Sequence, residues 1–401
     1  MISSCAPLTK TVRLAFVGTG SFSTGVHLPS AASSPGVEIR ALCDLDETVL
    51  ETLSRVYRPA YLTTCLDEVL ADREVDAVVL ATRQDTHAAL SLQCLEAGKR
   101  VYVEKPIGEN RRDLLALWNV RERYEGALAV GFNRRFSPIY RHAKAALAGR
   151  KGPVFMTCRM LSLPRRLALP YYRDRSNLVF EGGHLFDLAL SFIASRPVSV
   201  MTSGEAYRSH MTVVSFEDGS RFCLHMNEHG SADLGKEYVE IHQDGVSISC
   251  RDFYDLRVRG VKGMDDRIFP PEPFVGSPER ETFDSADAVE VFFSRGKRGE
   301  TRVRRPGFHR SAADMEEALK GVFGTPLPGL IVPQKGWKSA LIGFLFADPG
   351  NAWRPGIREA VRATWLSLRA LQSLETACPV ELGRDDPPFA IASQAGSPAT
   401  S

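Results

Sequence analysis

At 401 residues, 44% hydrophobic and 24% charged, the chain is too long for one small core and reads as a globular protein of two domains. Its 50 basic and 48 acidic residues leave a formal net charge of +2, which gives no reason to expect nucleic acid or an anionic membrane as a partner. No apolar stretch reaches the roughly 18 uninterrupted residues of a membrane helix, and Met1–Lys10 carries neither a secretory nor a twin-arginine signal, so the cytoplasm is the expected compartment.

Residues 1–10 are expected to be a flexible N-terminus. From Val12 onward, apolar runs alternate with stretches of helical period. The runs are Val12–Val17, Val37–Cys43, Asp76–Ala81, Arg100–Val103 and Ala127–Val130; Leu62–Leu70 and Thr86–Ala97 carry the helical pattern. Strands apolar on both faces and separated by helices predict a parallel sheet covered on both sides, the doubly wound dinucleotide-binding fold, over residues 11–130. After Gly131 the character changes. Val154–Met160, Val198–Glu205, Met211–Phe216, Arg221–Asn227, Tyr238–Gln243 and Val246–Cys250 read as strands, with turn signals at Glu217-Asp218-Gly219 and Asp244-Gly245. One helix, Glu181–Ala194, interrupts them, and two more are expected near Arg310–Val322 and Ile357–Glu375, the last docked on the first domain. Residues 131–382 are thus an α+β domain with an open, mostly antiparallel sheet. Arg295–Arg305 reads as a solvated loop and Gly383–Ser401 as a disordered tail. The eight cysteines include no Cys-x-x-Cys pair, so buried reduced thiols are expected and metal-ligand spacing is absent.

Gly18-x-Gly20-x-x-Ser23 follows the first strand and opens a helix, the context in which a glycine turn (Gly18, Thr19, Gly20, Ser21, Phe22) cradles a pyrophosphate. Gly18 allows the tight turn, and Gly20 lets backbone amides approach the ligand. Asp44 ends the second strand 24 residues after Gly20, where a carboxylate accepts hydrogen bonds from the adenosine ribose. An unpaired carboxylate there repels a 2′-phosphate, and Leu45 and Asp46 supply no cation, so NAD is favoured over NADP. Thr82 ends the third run. His87 begins the next helix, either beside the cofactor or as a surface or capping residue. Glu104-Lys105-Pro106 closes the run Arg100–Val103 and brings a lysine to the sheet edge, where it can polarise a hydroxyl or carbonyl beside a nicotinamide. Asn133-Arg134-Arg135-Phe136 follows the next run and either enters an interdomain cleft or forms surface ion pairs.

In this order and spacing, Gly18-Thr19-Gly20, Ala81-Thr82…His87, Glu104-Lys105-Pro106 and Gly131-Phe132-Asn133-Arg134-Arg135-Phe136 resemble hallmarks of the glucose–fructose oxidoreductase/inositol dehydrogenase (Gfo/Idh/MocA) family. Glu181-Gly182-Gly183-His184-Leu185-Phe186-Asp187 and Phe216-Glu217-Asp218-Gly219-Ser220 extend the resemblance over roughly Val12 to Leu382. The Glu-Gly-x-His-x-x-Asp form is similar to members that are the oxidoreductase half of proteins fused to a zinc alcohol dehydrogenase-like half. The resemblance implies an N-terminal Rossmann domain, a C-terminal open-sheet domain and a nicotinamide cofactor. It also implies sugar, cyclitol, nucleotide-sugar or related substrates, and a homo-oligomer, dimer or tetramer, built through the open sheet.

By the same resemblance, Lys105 is the active-site lysine and contacts both cofactor and substrate. His184 is the acid/base, with Asp187 and Glu181 three residues to either side. The plain alternative makes His184 a capping or core histidine and Asp187 its ion-pair partner. Glu104 and Arg135 fall among the cofactor contacts. Many sugar and cyclitol dehydrogenases of the family carry Asp four residues before the histidine; here it is Phe180. Arg159–Arg175 should border the active site, and Tyr172 and Arg173 within it suit an anionic, ring-bearing substrate, a solvated loop being the alternative. The leading expectation is an NAD(P)-dependent oxidoreductase. Redox-neutral glycoside chemistry and a non-catalytic ligand sensor are the other two readings.

Overall fold

Val12–Val17 (β1) is buried on both faces, which places it inside a sheet rather than at its rim. The computed structural model describes residues 11–20, 22–161, 177–205, 208–230, 234–269, 272–273, 331–332, 335–347, 355–383 and 386–389. The described residues form two compact units: one takes those up to His142, Asp252–Leu256 and those from Asp266 to Ala360; the other takes Ala143–Arg251, Arg257–Asp265 and those from Val361 on.

In the first unit β1 is followed by β2 (Val37–Cys43), β3 (Tyr61–Thr63), β4 (Ala77–Leu80), β5 (Arg100–Val103) and β6 (Leu128–Val130). They form one six-stranded sheet in the order β3-β2-β1-β4-β5-β6, and every pair is parallel. The order reverses between β1 and β4, so the loops leaving those two strands diverge and open a crevice at their carboxyl ends. β3 is the strand that the sequence reading folded into a helix over Leu62–Leu70. Thr63 Oγ1 accepts from the Cys65 amide at 2.9 Å, turning the chain out of the strand before the helix Leu66–Ala71 begins.

The core of this sheet is completed from far along the chain. Ala340, Leu341, Phe344 and Leu345 of the helix Trp337–Phe346 pack with Leu14, Phe16 and Tyr102. Arg100 caps that helix: it donates to the carbonyls of Leu345 at 2.9 Å and Phe344 at 2.5 Å, with its guanidinium 4.4 Å from the Phe344 ring centre. The helix expected to dock here was Ile357–Glu375. That helix is observed as Ile357–Thr376; its first turn meets the first unit, where Arg358 pairs with Glu122 and Glu125, while in its C-terminal half Ser373 Oγ accepts from the Thr202 amide at 2.9 Å.

In the second unit, β7 (Phe155–Leu161), β8 (Pro197–Glu205), β9 (Ser209–Phe216), β10 (Arg221–Asn227), β11 (Glu237–Gln243) and β12 (Val246–Arg251) closely follow the expected strands. With β13 (Asp255–Arg259), β14 (Arg267–Ile268) and a last strand, β17 (Val380–Glu381), they make a nine-stranded sheet ordered β14-β13-β12-β11-β7-β10-β9-β8-β17; β15 (Glu272–Pro273) and β16 (Ile331–Val332) pair separately. β7 and β10 run parallel, while β8–β9, β9–β10, β7–β11 and β11–β12 are antiparallel. Asp244 and Gly245 both have positive φ, the two-residue turn that the right-handed twist of a hairpin prefers. Residues alternate between faces: Met156, Cys158, Phe222, Leu224, Val239 and Ile241 are buried, and Phe186 of the helix Gly183–Phe192 meets Phe222 edge-on at 5.9 Å.

Residues 386–389, expected within a disordered tail from Gly383, are packed, and residues 390–401 lie outside the described residues. Asp386 is buried and accepts from Trp365 Nε1 at 2.6 Å and Arg369 Nε at 2.5 Å, and Phe389 is buried with it. The expected helix Arg310–Val322, the loop Arg295–Arg305 and residues 1–10 lie outside the described residues.

His210 on β9 is buried, and burial lowers its pKa from 6.5 to about 4. Such a histidine folds neutral, so its stabilising effect is complete above pH 6.5 and is lost as pH falls toward 4. Between pH 7 and 4 the wild-type chain should lose about 3 kcal/mol more unfolding free energy than His210→Phe. Urea melts of both proteins at each pH measure this difference.

Candidate active site

Gly18 ends β1 with φ +84°, and a Cβ there would lie 2.7 Å from the Ala81 carbonyl and the Thr82 amide nitrogen. Only glycine fits where the chain leaving β1 crosses the end of β4. Gly20 is different: it is exposed, and a Cβ would meet nothing within 4 Å. No neighbouring group requires glycine at that point, and the open approach over the backbone fits a pyrophosphate. The turn continues into a wide π-wound turn, Ser23–His27, with the Thr24 amide donating to the Gly20 carbonyl at 2.9 Å.

Asp44 is not the unpaired carboxylate that the sequence suggested. Its Oδ2 accepts from the Thr19 amide at 2.6 Å and the Thr19 hydroxyl at 3.0 Å, and its Oδ1 accepts from the Asp46 amide at 3.2 Å. The carboxylate therefore braces the glycine turn. Among the described residues it forms no ion pair, so its negative charge still opposes a 2′-phosphate. Ser21 lies outside the described residues. Phe22, expected at the cofactor, sets its ring edge-on to His27 at 5.2 Å and Trp337 at 5.8 Å, a packing role.

The ends of β4 and β5 are tied by His87. The sequence allows a cofactor contact, a surface residue or a helix cap; His87 is buried, with Nδ1 2.8 Å from the Pro106 carbonyl oxygen and Nε2 3.2 Å from that of Thr82. Burial holds its pKa below the usual value. A neutral imidazole has one N–H, and the nearer Pro106 carbonyl is its better acceptor. Thr82 itself shares a hydroxyl hydrogen bond with Thr86 at 2.8 Å.

Glu104, expected among the cofactor contacts, turns inward. Its Oε1 lies 2.7 Å from His27 Nε2, and its Oε2 accepts from the Lys105 amide at 3.3 Å. A Cβ on Gly131 would stand 2.5 Å from Glu104 Oε1, so Gly131 leaves the room that this carboxylate occupies. Lys105 follows at the same edge, largely buried, and its bond to Pro106 is cis. Gly18, Asp44, Thr82 and Lys105 thus stand at the carboxyl ends of β1, β2, β4 and β5 in one sheet.

Asn133–Phe136 forms a short 3₁₀ turn with Arg134 buried and Arg135 half-buried, so Arg134 is not a surface ion-pair residue. The turn anchors the segment before Trp337. Asn133 Nδ2 donates to the Lys335 carbonyl at 2.7 Å, and Gly336 (φ +83°) passes so close that a Cβ would lie 2.6 Å from Ser137 N.

In the second unit, Leu178–Gly182 is a π-wound turn that leads into the helix Gly183–Phe192. It carries Glu181, His184 and Asp187, all buried, with His184 and Asp187 one helical turn apart on a shared face. Glu181 Oε2 pairs with Lys236 Nζ at 3.3 Å. Phe180 is buried, and its phenyl ring offers no proton acceptor at that position. Asn177, at the entry to the turn, hydrogen-bonds the buried Glu228. Tyr172 and Arg173 lie outside the described residues. His27 was not singled out from the sequence; a lone histidine in an apolar helix gives no signal until its partner, 77 residues away, is known. Among the described residues no group of three His, Cys, Asp or Glu side chains could hold a metal.

A doubly wound parallel sheet with a glycine turn and an acidic β2 end, followed by an open antiparallel sheet, defines a two-unit nucleotide-binding α/β protein. Residues 12–132 match the model of an oxidoreductase family with an NAD-binding Rossmann fold, GFO_IDH_MocA. Inositol 2-dehydrogenase of Rhizobium meliloti (strain 1021) is 32% identical over 193 residues, 47% of this chain and 57% of that protein. The chain therefore spans less than two thirds of that relative's length. The solved structure of a putative myo-inositol dehydrogenase from Sinorhizobium meliloti 1021 superposes with TM-score 0.66 at 19% identity, covering 92% of this chain and 99% of that one. GenD2 from gentamicin A biosynthesis, solved in complex with NAD, gives TM-score 0.65 at 20% identity over 95% and 99% of the two chains. At these identities the structural likeness is one of fold.

The two glycines should separate folding from binding. Gly18→Ala should cost about 2 kcal/mol or more, from strain and backbone contact. Gly20→Ala should stay within about 0.5 kcal/mol of wild type in a urea melt, yet weaken NAD binding at least about tenfold in calorimetry, one well-placed contact's worth.

Proposed function

We propose that the chain is an NAD-dependent oxidoreductase acting on a secondary alcohol, ketone or imine of a sugar, cyclitol, nucleotide-sugar or related small molecule, in a reducing compartment such as the cytoplasm. The observation that carries this reading is the gathering of Gly20, Asp44 and Lys105 at the carboxyl edge of one parallel sheet, beside the point where its strand order reverses. NAD is preferred to NADP because Asp44 keeps its charge at the ribose position. The compartment agrees with the thiols of Cys43 and Cys94, which burial pushes up to about 11 and about 12 and so keeps unreactive.

The backbone of the turn after Gly18 would hold the pyrophosphate and Asp44 the adenosine ribose. When bound, NAD supplies the hydride chemistry. Lys105 Nζ donates a hydrogen bond to the reacting oxygen and stabilises alkoxide charge on it. His184 takes or returns the hydroxyl proton through a ring nitrogen, oriented by Asp187, with Glu181 near the substrate. The arginines and tyrosines of 159–175, Arg173 and Tyr172 among them, favour an anionic substrate. Phe180, apolar where the resemblance would place Asp, supports one second reading, a non-catalytic ligand sensor.

A homo-oligomer through the open sheet is part of the proposal. Phe155, Met211 and Val213 are exposed on the face opposite the helix-packed one, with fractional exposures of 50%, 60% and 39%. Cross-strand partners Cys223 and His225 continue that face. A second copy would cover this apolar surface. Sedimentation equilibrium should find wild type as a dimer or larger and the Met211→Lys/Val213→Lys double variant as a monomer; a monomeric wild type would remove this part of the proposal.

Turnover is tested by following NADH formation over a panel of polyols, inositols, sugar acids and nucleotide-sugars. Lys105→Ala should lower kcat by about a thousandfold, and His184→Ala should lower it by about a hundredfold or more with NAD affinity little changed. Product formation without net NADH selects the redox-neutral reading. Ligand binding unaffected by either variant, with no turnover, would make the protein a sensor.

A further inference from the structure

We propose that His27 and Glu104 act as a positioning pair that fixes the Lys105 turn to the helix leaving the dinucleotide-binding glycine turn. The inference rests on the oxidoreductase reading for the role of Lys105, but the geometry beneath it stands independently. His27 is fully buried, Glu104 nearly so, and Nε2 and Oε1 are 2.7 Å apart across 77 residues of sequence. An ionised carboxylate inside an apolar unit is costly unless a hydrogen-bond donor meets it, and filling the same space with apolar side chains is usually no less stable. What the pair adds is therefore direction rather than stability.

Each side of Glu104 is held. His27 donates to Oε1, the Lys105 amide donates to Oε2, and the carboxylate stands in the room that Gly131 leaves. The other end of the link is equally fixed. His27 is the last residue of the π-wound turn Ser23–His27, whose second residue, Thr24, donates its amide to the Gly20 carbonyl at 2.9 Å. The imidazole is clasped edge-on by Phe22 at 5.2 Å and Tyr102 at 5.4 Å, and among the described residues its Nδ1 has no hydrogen-bond partner. Among the described residues its one hydrogen bond is with Glu104. A ligand that settles the glycine turn also settles His27, and through Glu104 it settles the backbone that carries Lys105. Neither side chain touches the reacting atoms in this scheme; both act through Lys105.

The test compares wild type with His27→Gln, which keeps an N–H donor at the position of Nε2, and with His27→Leu, which removes it. Gly131→Ala serves as a second disruption that displaces the Glu104 carboxylate without altering either partner. Amide hydrogen exchange is followed by mass spectrometry in peptides spanning Glu104–Ile107, first without ligand. Exchange there should be about tenfold faster in His27→Leu and in Gly131→Ala, the factor that one lost charge-assisted hydrogen bond carries. It should match wild type in His27→Gln, and peptides from β11 and β12 should be unchanged in all. At NAD saturation, established by calorimetry for each variant, the two disruptive variants should keep the faster exchange, and kcat should fall about a hundredfold with KM for NAD within a few-fold. Unchanged exchange at Glu104–Ile107 in whichever disruptive variant folds overturns the proposal. So does equal loss in His27→Gln. A wild type that neither binds NAD nor turns over any substrate overturns the functional reading instead, and the ligand-free exchange then decides the positioning pair alone.

Discussion

A single buried carboxylate organises the nucleotide-binding unit. Glu104 sits where three strand ends converge: it follows β5, meets the helical turn that follows β1 through His27, and fills the space left by Gly131 after β6. Because its charge must be met by donors in fixed directions, the loops that supply them cannot drift apart. Gly18 does the same between β1 and β4 by steric means, its missing Cβ letting one chain cross another. His87 adds a third tie, from the helix after β4 to the Pro106 carbonyl. Lys105 is held in the middle of these three constraints, which gives its side chain a defined origin before any ligand arrives.

Much of this was legible in the sequence, for reasons that have limits. Strands such as Ala77–Leu80 and Arg100–Val103 announce themselves because a parallel strand covered on both faces must be apolar throughout. The three-residue strand Tyr61–Thr63 did not, since it sits at the sheet edge and buries one side chain. The helix Trp337–Phe346 escaped because Trp-Lys-Ser-Ala-Leu-Ile-Gly-Phe-Leu-Phe is apolar in most directions and shows little helical period; its partner, the helix Ile357–Thr376, has a clear period and drew the docking role instead. A residue's partner across the fold cannot be read from periodicity.

The site divides along the same line. Gly18, Gly20, Asp44 and Lys105 stand in short motifs whose spacing reflects local geometry, so their positions could be named from the sequence. Their neighbours changed meaning once contacts were known. Phe22 and Glu104 gained structural contacts that the sequence did not show, and His87 is a buried tie rather than a surface residue. Asp44 gained a second task, since the donors that it satisfies belong to the very turn it was expected to flank. In the second unit the helix bearing His184 and Asp187 appeared where the pattern put it, yet its π-wound entry and the buried Asn177–Glu228 contact were invisible to a 3.6-residue period.

The proposed oxidoreductase requires a dinucleotide across the carboxyl edge of this sheet with its reactive ring beside Lys105. A crystal structure of the chain with NAD tests it most directly. The expected result is the pyrophosphate over the turn between Gly18 and Ser23–His27, the adenosine ribose at Asp44 and the nicotinamide next to the Lys105 ammonium. A dinucleotide bound away from that edge, or a nicotinamide remote from Lys105 with the Glu104–His27 contact intact, would contradict it.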